Sequence, residues 1–133
     1  MPSRAISDLD PRLQSLFHKF EDAAKAAKID FILTCTYRSG KEQDALYAQG
    51  RTKPGKKVTN ARAGQSKHNA TNSRGLPAAK AFDIVVMVNG KPEWNTANPL
   101  WPKIGAIGKK VGLDWGGSWP KLKDFAHFQL NGS

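Results

Sequence analysis

The sequence predicts an α+β fold, a single domain with a small, mostly antiparallel sheet flanked by helices. Three observations support this. Apolar residues recur at helical spacing in two segments, and short runs rich in β-forming residues lie between and after them. No repeats or low-complexity tracts interrupt this order. A chain of 133 residues has room for one hydrophobic core, so we expect one domain over residues 1–133.

The first predicted elements are a packing helix and a strand. Asp10 followed by Pro11 is a typical helix start, and apolar side chains then share one face at Leu13, Leu16, Phe17, Phe20, Ala24 and Ala27. His18 lies within this helix, and we interpret it as a surface or packing residue. The run FILTCTY at residues 31–37 alternates as a strand does.

A short helix and a long basic loop are predicted next. Ser39 and Glu42 have the spacing of a capping box, and Gly50 is placed to end the helix that they open. Residues 51–80 are rich in glycine, asparagine, threonine and proline, and they contain eight cations and no acidic residue. Long loops of this kind more often form a site than serve only as connections.

The second half of the chain predicts the rest of the sheet and a second packing helix. The apolar run AFDIVVMV carries Asp83 near its start and ends at the turn signal Asn89-Gly90. Residues 99–111 form a helical stripe that Gly112 is placed to cap. The segments LDWGGSW and AHFQL predict closing extended segments separated by a loop.

Charge and cysteine content limit the classes of protein. The net charge of +10 and the pI near 10.0 predict a polyanionic partner: nucleic acid, an anionic membrane surface or an envelope polymer. Cys35 is the single cysteine, which excludes an internal disulfide, and we expect a buried thiol. No apolar run has the length of a signal peptide or a membrane span. We therefore expect a product made in the cytoplasm.

Four side chains from three separate segments predict a hydrolytic metal site. Two histidines and a carboxylate, His68, His127 and Asp83, are donors that bind Zn²⁺ while leaving one coordination position open for water. Asp124 lies three residues before His127 and could accept a proton from that water. Asp114 competes with Asp124 for this role, since it also lies near glycines and aromatic residues, although a structural role in a turn explains it equally well.

Several of these motifs together resemble a known family. The run TYRSGKEQDALYAQGRTKPGKKVTNARAGQSKHN, followed by AFDIVV, LDWGGSW and DFAHFQL, closely resembles the M15 zinc peptidases of the VanY and D-alanyl-D-alanine carboxypeptidase group. It looks most like the bacteriophage endolysins that act as L-alanyl-D-glutamate peptidases. The resemblance covers residues 37–130. It implies a catalytic domain with its zinc site in a surface cleft, and no separate cell-wall-binding domain.

The resemblance also implies roles for individual residues. The family pattern SxHxxxxAxD, and a later acidic residue before HF, are matched here by Ser66, His68, Ala81 and Asp83, and by Asp124 and His127. It implies Zn²⁺ on His68, Asp83 and His127, with Asp124 as the general base. Arg38 is similar to a family arginine that contacts a substrate carboxylate or the oxyanion.

Two supporting residues and one departure complete the comparison with the family pattern. Gln43 and Ser66 resemble polar groups that contact the substrate. His68 and Asp83 are 15 positions apart, whereas the family pattern has seven, so residues 70–80 contain an insertion of about eight residues. We expect such a loop to bulge outward and to leave the ligands in place, whereas the rim of the cleft and the fit of the substrate are the features that the insertion leaves open.

The implied function is zinc-dependent hydrolysis of the L-alanyl-D-glutamate bond in the peptidoglycan stem peptide. The basic loop at residues 51–80 would attract anionic envelope polymers, and we expect a monomer without a nucleic-acid partner. An endolysin would be made in the host bacterial cytoplasm and reach the wall by a separate export or holin-type route. Two alternatives remain. One is a zinc D,D-carboxypeptidase or dipeptidase of the same family, and the other is a non-enzymatic cationic module that binds through Trp94, Trp101, Trp115 and Trp119.

Overall fold

The part of the chain that the structure describes contains three α-helices and one antiparallel sheet, joined by loops and short 3-10 turns. The computed structural model describes residues 2–121 and 123–131. The helices are α1 (Pro11–Ala26), α2 (Gly40–Ala48) and α3 (Leu100–Lys110). The strands are β1 (Asp30–Cys35), β2 (Ala81–Val88), β3 (Lys91–Pro92), β4 (Leu113–Trp115) and β5 (His127–Leu130). Short 3-10 turns cover Ile6–Asp8, Lys67–Asn69 and Gly116–Ser118. The predicted α+β class is confirmed.

Both predicted helix starts are present. The Asp10 side chain accepts a hydrogen bond from the backbone N–H of Arg12, with Pro11 as the first helical residue. Ser39 accepts from the N–H of Glu42, and the Glu42 carboxylate accepts from the N–H of Ser39. These reciprocal bonds satisfy N–H groups that have no partner within a helix.

The strand order places β2 and β5 side by side at the centre of the sheet. The order is β1-β2-β5-β4, with β3 paired to the end of β2, and every pairing is antiparallel. In this register Asp83 lies opposite His127 on one side and opposite Cys35 on the other. A bulge between Leu33 and Cys35 accompanies the pairing of Cys35 with Asp83, and β1 ends at Cys35 rather than at the predicted residue 37.

The hydrophobic core lies between the sheet and the helices α1 and α3. Phe82 on β2 and Phe128 on β5 are fully buried and stack with ring centroids 5.5 Å apart. Phe20 of α1 contacts both of these rings. Because neighbouring residues of a strand point to opposite faces, burying Phe82 and Phe128 turns Asp83 and His127 to the other face of the sheet.

The insertion between His68 and Asp83 is a short loop whose two ends are hydrogen-bonded to each other. The backbone N–H of Ala78 donates to the carbonyl of Ala70 at 3.0 Å, and Thr71 forms a β-bridge with Pro77. Seven residues, 71–77, lie between Ala70 and Ala78, which accounts for most of the eight positions by which the spacing of His68 and Asp83 exceeds the family pattern. The expected outward bulge is therefore present.

The described helices give no membrane-spanning segment, because none combines the necessary length with an apolar sequence. The expectation that residues 1–133 are one catalytic domain without a wall-binding domain stays a prediction.

Candidate active site

A cleft of about 920 Å³ opens on the face of the sheet opposite the core. Its floor includes the side chains of His68, Asp83 and His127. Further lining comes from residues 57–61 in the basic loop, and from Trp119, Lys123 and Asp124 in the segment after β4. The cleft therefore brings together four residues that the sequence predicts to act together, although they are up to 59 positions apart in the chain.

The two histidines converge on one carboxylate oxygen. Nε2 of His68 lies 3.1 Å from Oδ1 of Asp83, and Nδ1 of His127 lies 3.2 Å from the same oxygen. The two imidazole rings are almost perpendicular, with centroids 5.0 Å apart. Both histidines are buried, and the Asp83 side chain is 16% exposed. These three groups form the predicted ligand set.

Hydrogen bonds on the far side of each ring fix which nitrogen faces Asp83. Nδ1 of His68 is 2.8 Å from the backbone carbonyl of Thr36, which can only accept, so Nδ1 carries the hydrogen. Nε2 of His127 is 2.8 Å from Oε1 of Gln129 and donates to it. In the neutral imidazoles, the lone pairs of His68 Nε2 and His127 Nδ1 therefore point toward Asp83.

The electrostatics of this cluster favour a positive charge among the three groups. Burial alone would raise the pKa of Asp83, but His68 and His127 hold that pKa well below its ordinary value. Burial opposes the charged form of His68, yet the Asp83 carboxylate raises the His68 pKa above its ordinary value. Two lone pairs and a carboxylate oxygen at these separations repel one another unless a proton or a metal ion lies among them.

The donor set fits a catalytic divalent metal ion. Two imidazole nitrogens and one carboxylate oxygen are a common ligand set for zinc in hydrolases, and each imidazole has the outer hydrogen bond that such ligands normally make. A carboxylate oxygen of Asp124 also lies within 4.8 Å of the donor atoms of Asp83 and His127. The residues present are therefore able to hold a metal ion of the kind that the sequence predicts.

Cys35 is a buried thiol, as expected, and lies against the outer side of His68. Its sulfur is 3.6 Å from Nδ1 of His68 and 3.6 Å from an Nη atom of Arg38. Cys35, His68 and Asp83 are close enough to form an alternative metal-binding trio. However, the thiol faces the ring nitrogen that already donates to Thr36, whereas Asp83 faces the other one. We therefore favour His68, Asp83 and His127 as the ligands over the trio that contains Cys35.

A tight turn holds Asp124 beside the cluster. The backbone N–H of Asp124 donates to the carbonyl of Gly116, and the N–H of His127 donates to the carbonyl of Asp124. A Cβ atom on Gly116 would collide with that Asp124 carbonyl, so this close approach requires glycine. Burial, followed by the negative charge of Asp83, raises the pKa of Asp124, which makes this carboxylate a better proton acceptor.

The predicted competitor for the role of base lies elsewhere on the sheet. Asp114 is on β4, paired with Gln129 on β5. Among the described residues that line the cleft, Asp124 is present and Asp114 is not. The geometry therefore favours Asp124.

Arg38 lies in the cleft, and contacts with Gln43 and Asp83 fix its guanidinium group. One Nη donates to Oε1 of Gln43 at 3.0 Å, and the other lies 3.6 Å from Oδ2 of Asp83. Gln43 is fully buried, and its amide also donates to the carbonyl of Ala61 in the basic loop. The structure thus corrects the prediction that Gln43 contacts the substrate. Because no part of its side chain is accessible, Gln43 instead orients Arg38 and ties the loop to α2.

Ser66 lines the cleft and also supports His68. Its hydroxyl accepts a hydrogen bond from the backbone N–H of His68, and the Asn69 side chain accepts from the N–H of Ser66. The amide of Asn69 donates to the carbonyl of Arg38, and the N–H of Arg38 donates to the carbonyl of His68. These bonds join the histidine-bearing turn to the segment after β1.

The insertion does not contribute to the described lining of the cleft. The described residues that line the cleft include none from residues 70–80. The hydrogen-bonded ends of the insertion close it as a separate loop, and its effect on the rim of the cleft stays a prediction. Only part of the basic loop, with Lys57 and Lys67, reaches the cleft.

Sequence reasoning missed Gln129, the contact of Trp119 with His127 and the contacts of Cys35. Gln129 lies two residues after His127 on a strand, so the strand period alone could have placed both on one face. The Trp119 ring lies 5.1 Å from the His127 ring, between centroids. No sequence signal predicts either this contact or the bulge that accompanies the placement of Cys35.

Comparisons with known proteins agree with this geometry. A family model of M15 peptidases described as D-alanyl-D-alanine carboxypeptidase matches residues 59–130, a segment that includes His68, Asp83, Asp124 and His127. The VanY model, with the same description, matches residues 6–85, which include Arg38.

Individual relatives match almost the whole chain. The peptidoglycan L-alanyl-D-glutamate endopeptidase CwlK of Bacillus subtilis (strain 168) is 35% identical over 131 residues, which cover 93% of this chain and 74% of that protein. The crystal structure of the L-Ala D-Glu endopeptidase ChiX of Serratia marcescens shares the fold at a TM-score of 0.63 and 20% identity, over 98% of this chain and 88% of that one. The structure of the LD-carboxypeptidase LdcB shares the fold at a TM-score of 0.68 and 17% identity. That match covers 92% of this chain and 58% of the LdcB chain.

The Gln129 contact gives a test of the metal site. Replacing Gln129 with methionine keeps the side-chain length but removes the acceptor that fixes the His127 ring. We expect the affinity for zinc to fall by roughly 10–100-fold, measured by competition with a chromophoric chelator. Gln129→Glu keeps an acceptor and should stay within a few-fold of the wild type. Equal affinity in the wild type and the methionine variant would contradict the role given to Gln129.

Proposed function

The chain belongs to the M15 peptidases, and from that membership we propose that it is a zinc-dependent L-alanyl-D-glutamate endopeptidase of peptidoglycan. The observation that carries the proposal is the convergence of His68 and His127 on Asp83, beside Asp124, in one cleft. The choice of bond is supported by the 35% identity to the Bacillus subtilis endopeptidase, which extends over 93% of the chain.

The ligands of the metal ion would be Nε2 of His68, the carboxylate of Asp83 and Nδ1 of His127. When bound there, zinc supplies a Lewis acid that polarises the scissile carbonyl and makes water acidic enough to react near neutral pH. Thr36 and Gln129 keep the two imidazoles in the tautomers that this requires.

Asp124 moves the proton in the proposed reaction. Its carboxylate accepts a proton from the attacking water as the water oxygen bonds to the L-alanyl carbonyl carbon. It then gives that proton to the D-glutamyl nitrogen as the carbon–nitrogen bond breaks, leaving a carboxylate and an amine. Arg38 is held by Gln43 with its charge in the cleft, where it would stabilise the negative charge that develops on the carbonyl oxygen.

The proposal extends to the biological setting of a bacteriophage endolysin. The motif order resembles that of such enzymes, and the net charge of +10 suits an envelope rich in carboxylates and phosphates. Anionic wall polymers are the proposed partners, and a monomer without nucleic acid is the proposed form. The protein would stay in the host cytoplasm until a holin-type route opens. Cultures that produce it should stay intact until the inner membrane is permeabilised, and lysis without permeabilisation would contradict this setting.

A zinc D,D-carboxypeptidase or dipeptidase is the second candidate. It is favoured by the two family models, since both carry the description D-alanyl-D-alanine carboxypeptidase. The same ligands and base would serve either reaction, because the chemistry at the metal is peptide hydrolysis in both. Only the placement of the stem peptide in the cleft would differ.

The products from a defined peptide separate the two candidates. The substrate is a sugar-free stem pentapeptide of L-alanine, D-glutamate, diaminopimelate, D-alanine and D-alanine, which contains both candidate bonds, and the products are identified by mass spectrometry. We expect free L-alanine and a tetrapeptide that begins with D-glutamate. A chelator should abolish the reaction, and zinc should restore it. Release of D-alanine would instead support the carboxypeptidase, and an intact peptide would contradict both.

The two acidic candidates for the base form a matched pair of variants. Asp124→Asn removes the proposed proton acceptor, and we expect kcat to fall by roughly 10²–10⁴-fold while zinc stays bound in a 1:1 ratio. Asp114→Asn makes the same change on β4, outside the cleft lining, and should keep activity within a few-fold of the wild type. An inactive Asp114 variant beside an active Asp124 variant would reverse the assignment.

A further inference from the structure

A second, smaller hollow adjoins the catalytic cleft. It has a volume of about 200 Å³, and we call it the tryptophan groove because Trp94 and Trp101 contribute to its lining. Lys123 and Asp124 line both the groove and the cleft. A ligand in the cleft can therefore continue into the groove past the proposed base.

Trp94 presents an exposed aromatic face beside the groove. It is 60% exposed, although large aromatic side chains are usually buried more deeply. Its ring stacks on that of Trp101, with centroids 6.4 Å apart and planes 25° apart. Trp101 is buried, and its indole N–H donates to the carbonyl of Glu93. The exposed ring thus rests on a fixed one, and a ligand that covers it would cost little side-chain entropy.

The turn that carries Trp94 is also held in place. The N–H of Asn95 donates to the Glu93 carboxylate, and the N–H of Ala97 donates to the side chain of Asn95. Hydrogen bonds thus involve the residues directly before and after Trp94 in the chain. The turn therefore keeps Trp94 in place beside the groove.

The charges around the two hollows differ in a way that matches the proposed substrate. Lys57 and Lys67 line the cleft but not the groove, while Phe125 and Ala126 add apolar surface to the groove. In a stem peptide the free carboxylates belong to D-glutamate and the residues after it. On the other side of the scissile bond, L-alanine is joined through a lactyl group to a sugar ring without a free carboxylate. Lys57 and Lys67 suit the first side, and the aromatic face of Trp94 beside the apolar Phe125 and Ala126 suits the second.

We propose that the tryptophan groove is a subsite for the N-acetylmuramyl sugar that carries the stem peptide, with Trp94 stacking against the sugar ring. This inference rests on the proposed cleavage after L-alanine. The apolar face of a pyranose, with its C–H groups, packs on the electron-rich face of an indole. The groove would thus let the enzyme distinguish a stem peptide attached to a glycan strand from a free peptide.

The test compares two substrates in matched variants. For Trp94→Ala, we expect kcat/KM on the N-acetylmuramyl tetrapeptide to fall by roughly five- to tenfold through KM, with no change on the sugar-free tetrapeptide. Trp94→Tyr keeps an aromatic face and should retain most of the activity on the muramyl substrate. Leu76→Ala, which changes an exposed apolar residue outside both hollows, should affect neither substrate. An equal loss on both substrates, or no loss on either, would overturn the subsite.

A binding measurement tests the sugar subsite without requiring that the enzyme cleave its substrate. N-acetylmuramyl-L-alanine is added to the ¹⁵N-labelled protein, and the tryptophan indole N–H signals are followed by NMR. We expect the Trp94 signal to shift in a saturable way in the wild type and in the Leu76→Ala variant, and binding to be lost in Trp94→Ala. A Trp94 signal that does not move would overturn the subsite, even if the enzyme cleaved the stem peptide as proposed. Saturable binding without cleavage would support the subsite and count against the proposed function alone.

Discussion

The antiparallel pairing of Asp83 with His127 is the constraint on which the candidate active site depends. This register places a carboxylate and an imidazole on the same face of two central strands, with Phe82 and Phe128 packed in the core on the other face. A slip by one residue would bury the ligands and expose the phenylalanines. The hydrophobic core therefore holds the metal-binding geometry in place, since any shift in the strands would cost the stacking and burial of these rings.

Each remaining part of the site is fixed to this pair by hydrogen bonds. His68 reaches Asp83 from a short turn that is joined to Arg38 and Thr36. Asp124 is held by the carbonyl of Gly116, at a distance that only glycine permits. The basic loop is joined to α2 through Gln43. The polar groups are thus arranged in advance of any ligand, which lowers the cost of reorganisation on binding and in a reaction.

The sequence predicted the fold class and singled out four residues that the structure places in one cleft, because strand alternation, helix caps and family motifs are local signals. Gln43 was misplaced because burial depends on how α2 packs against the loop, which no local pattern contains. The insertion was correctly expected to bulge outward, but its distance from the cleft follows from hydrogen bonds between Ala70 and Ala78 that the residue types do not encode. Gln129 could have been found, since it follows His127 by one strand period. The roles of all these residues in binding and catalysis stay predictions.

The central claim is that His68, Asp83 and His127 hold one metal ion, and crystallography with zinc tests it most directly. Crystals grown with one equivalent of zinc are measured on both sides of the zinc absorption edge. The account predicts a single anomalous peak within about 2.0–2.2 Å of Nε2 of His68, a carboxylate oxygen of Asp83 and Nδ1 of His127. A peak bonded to the sulfur of Cys35, or zinc bound elsewhere with these three side chains unoccupied, would contradict it.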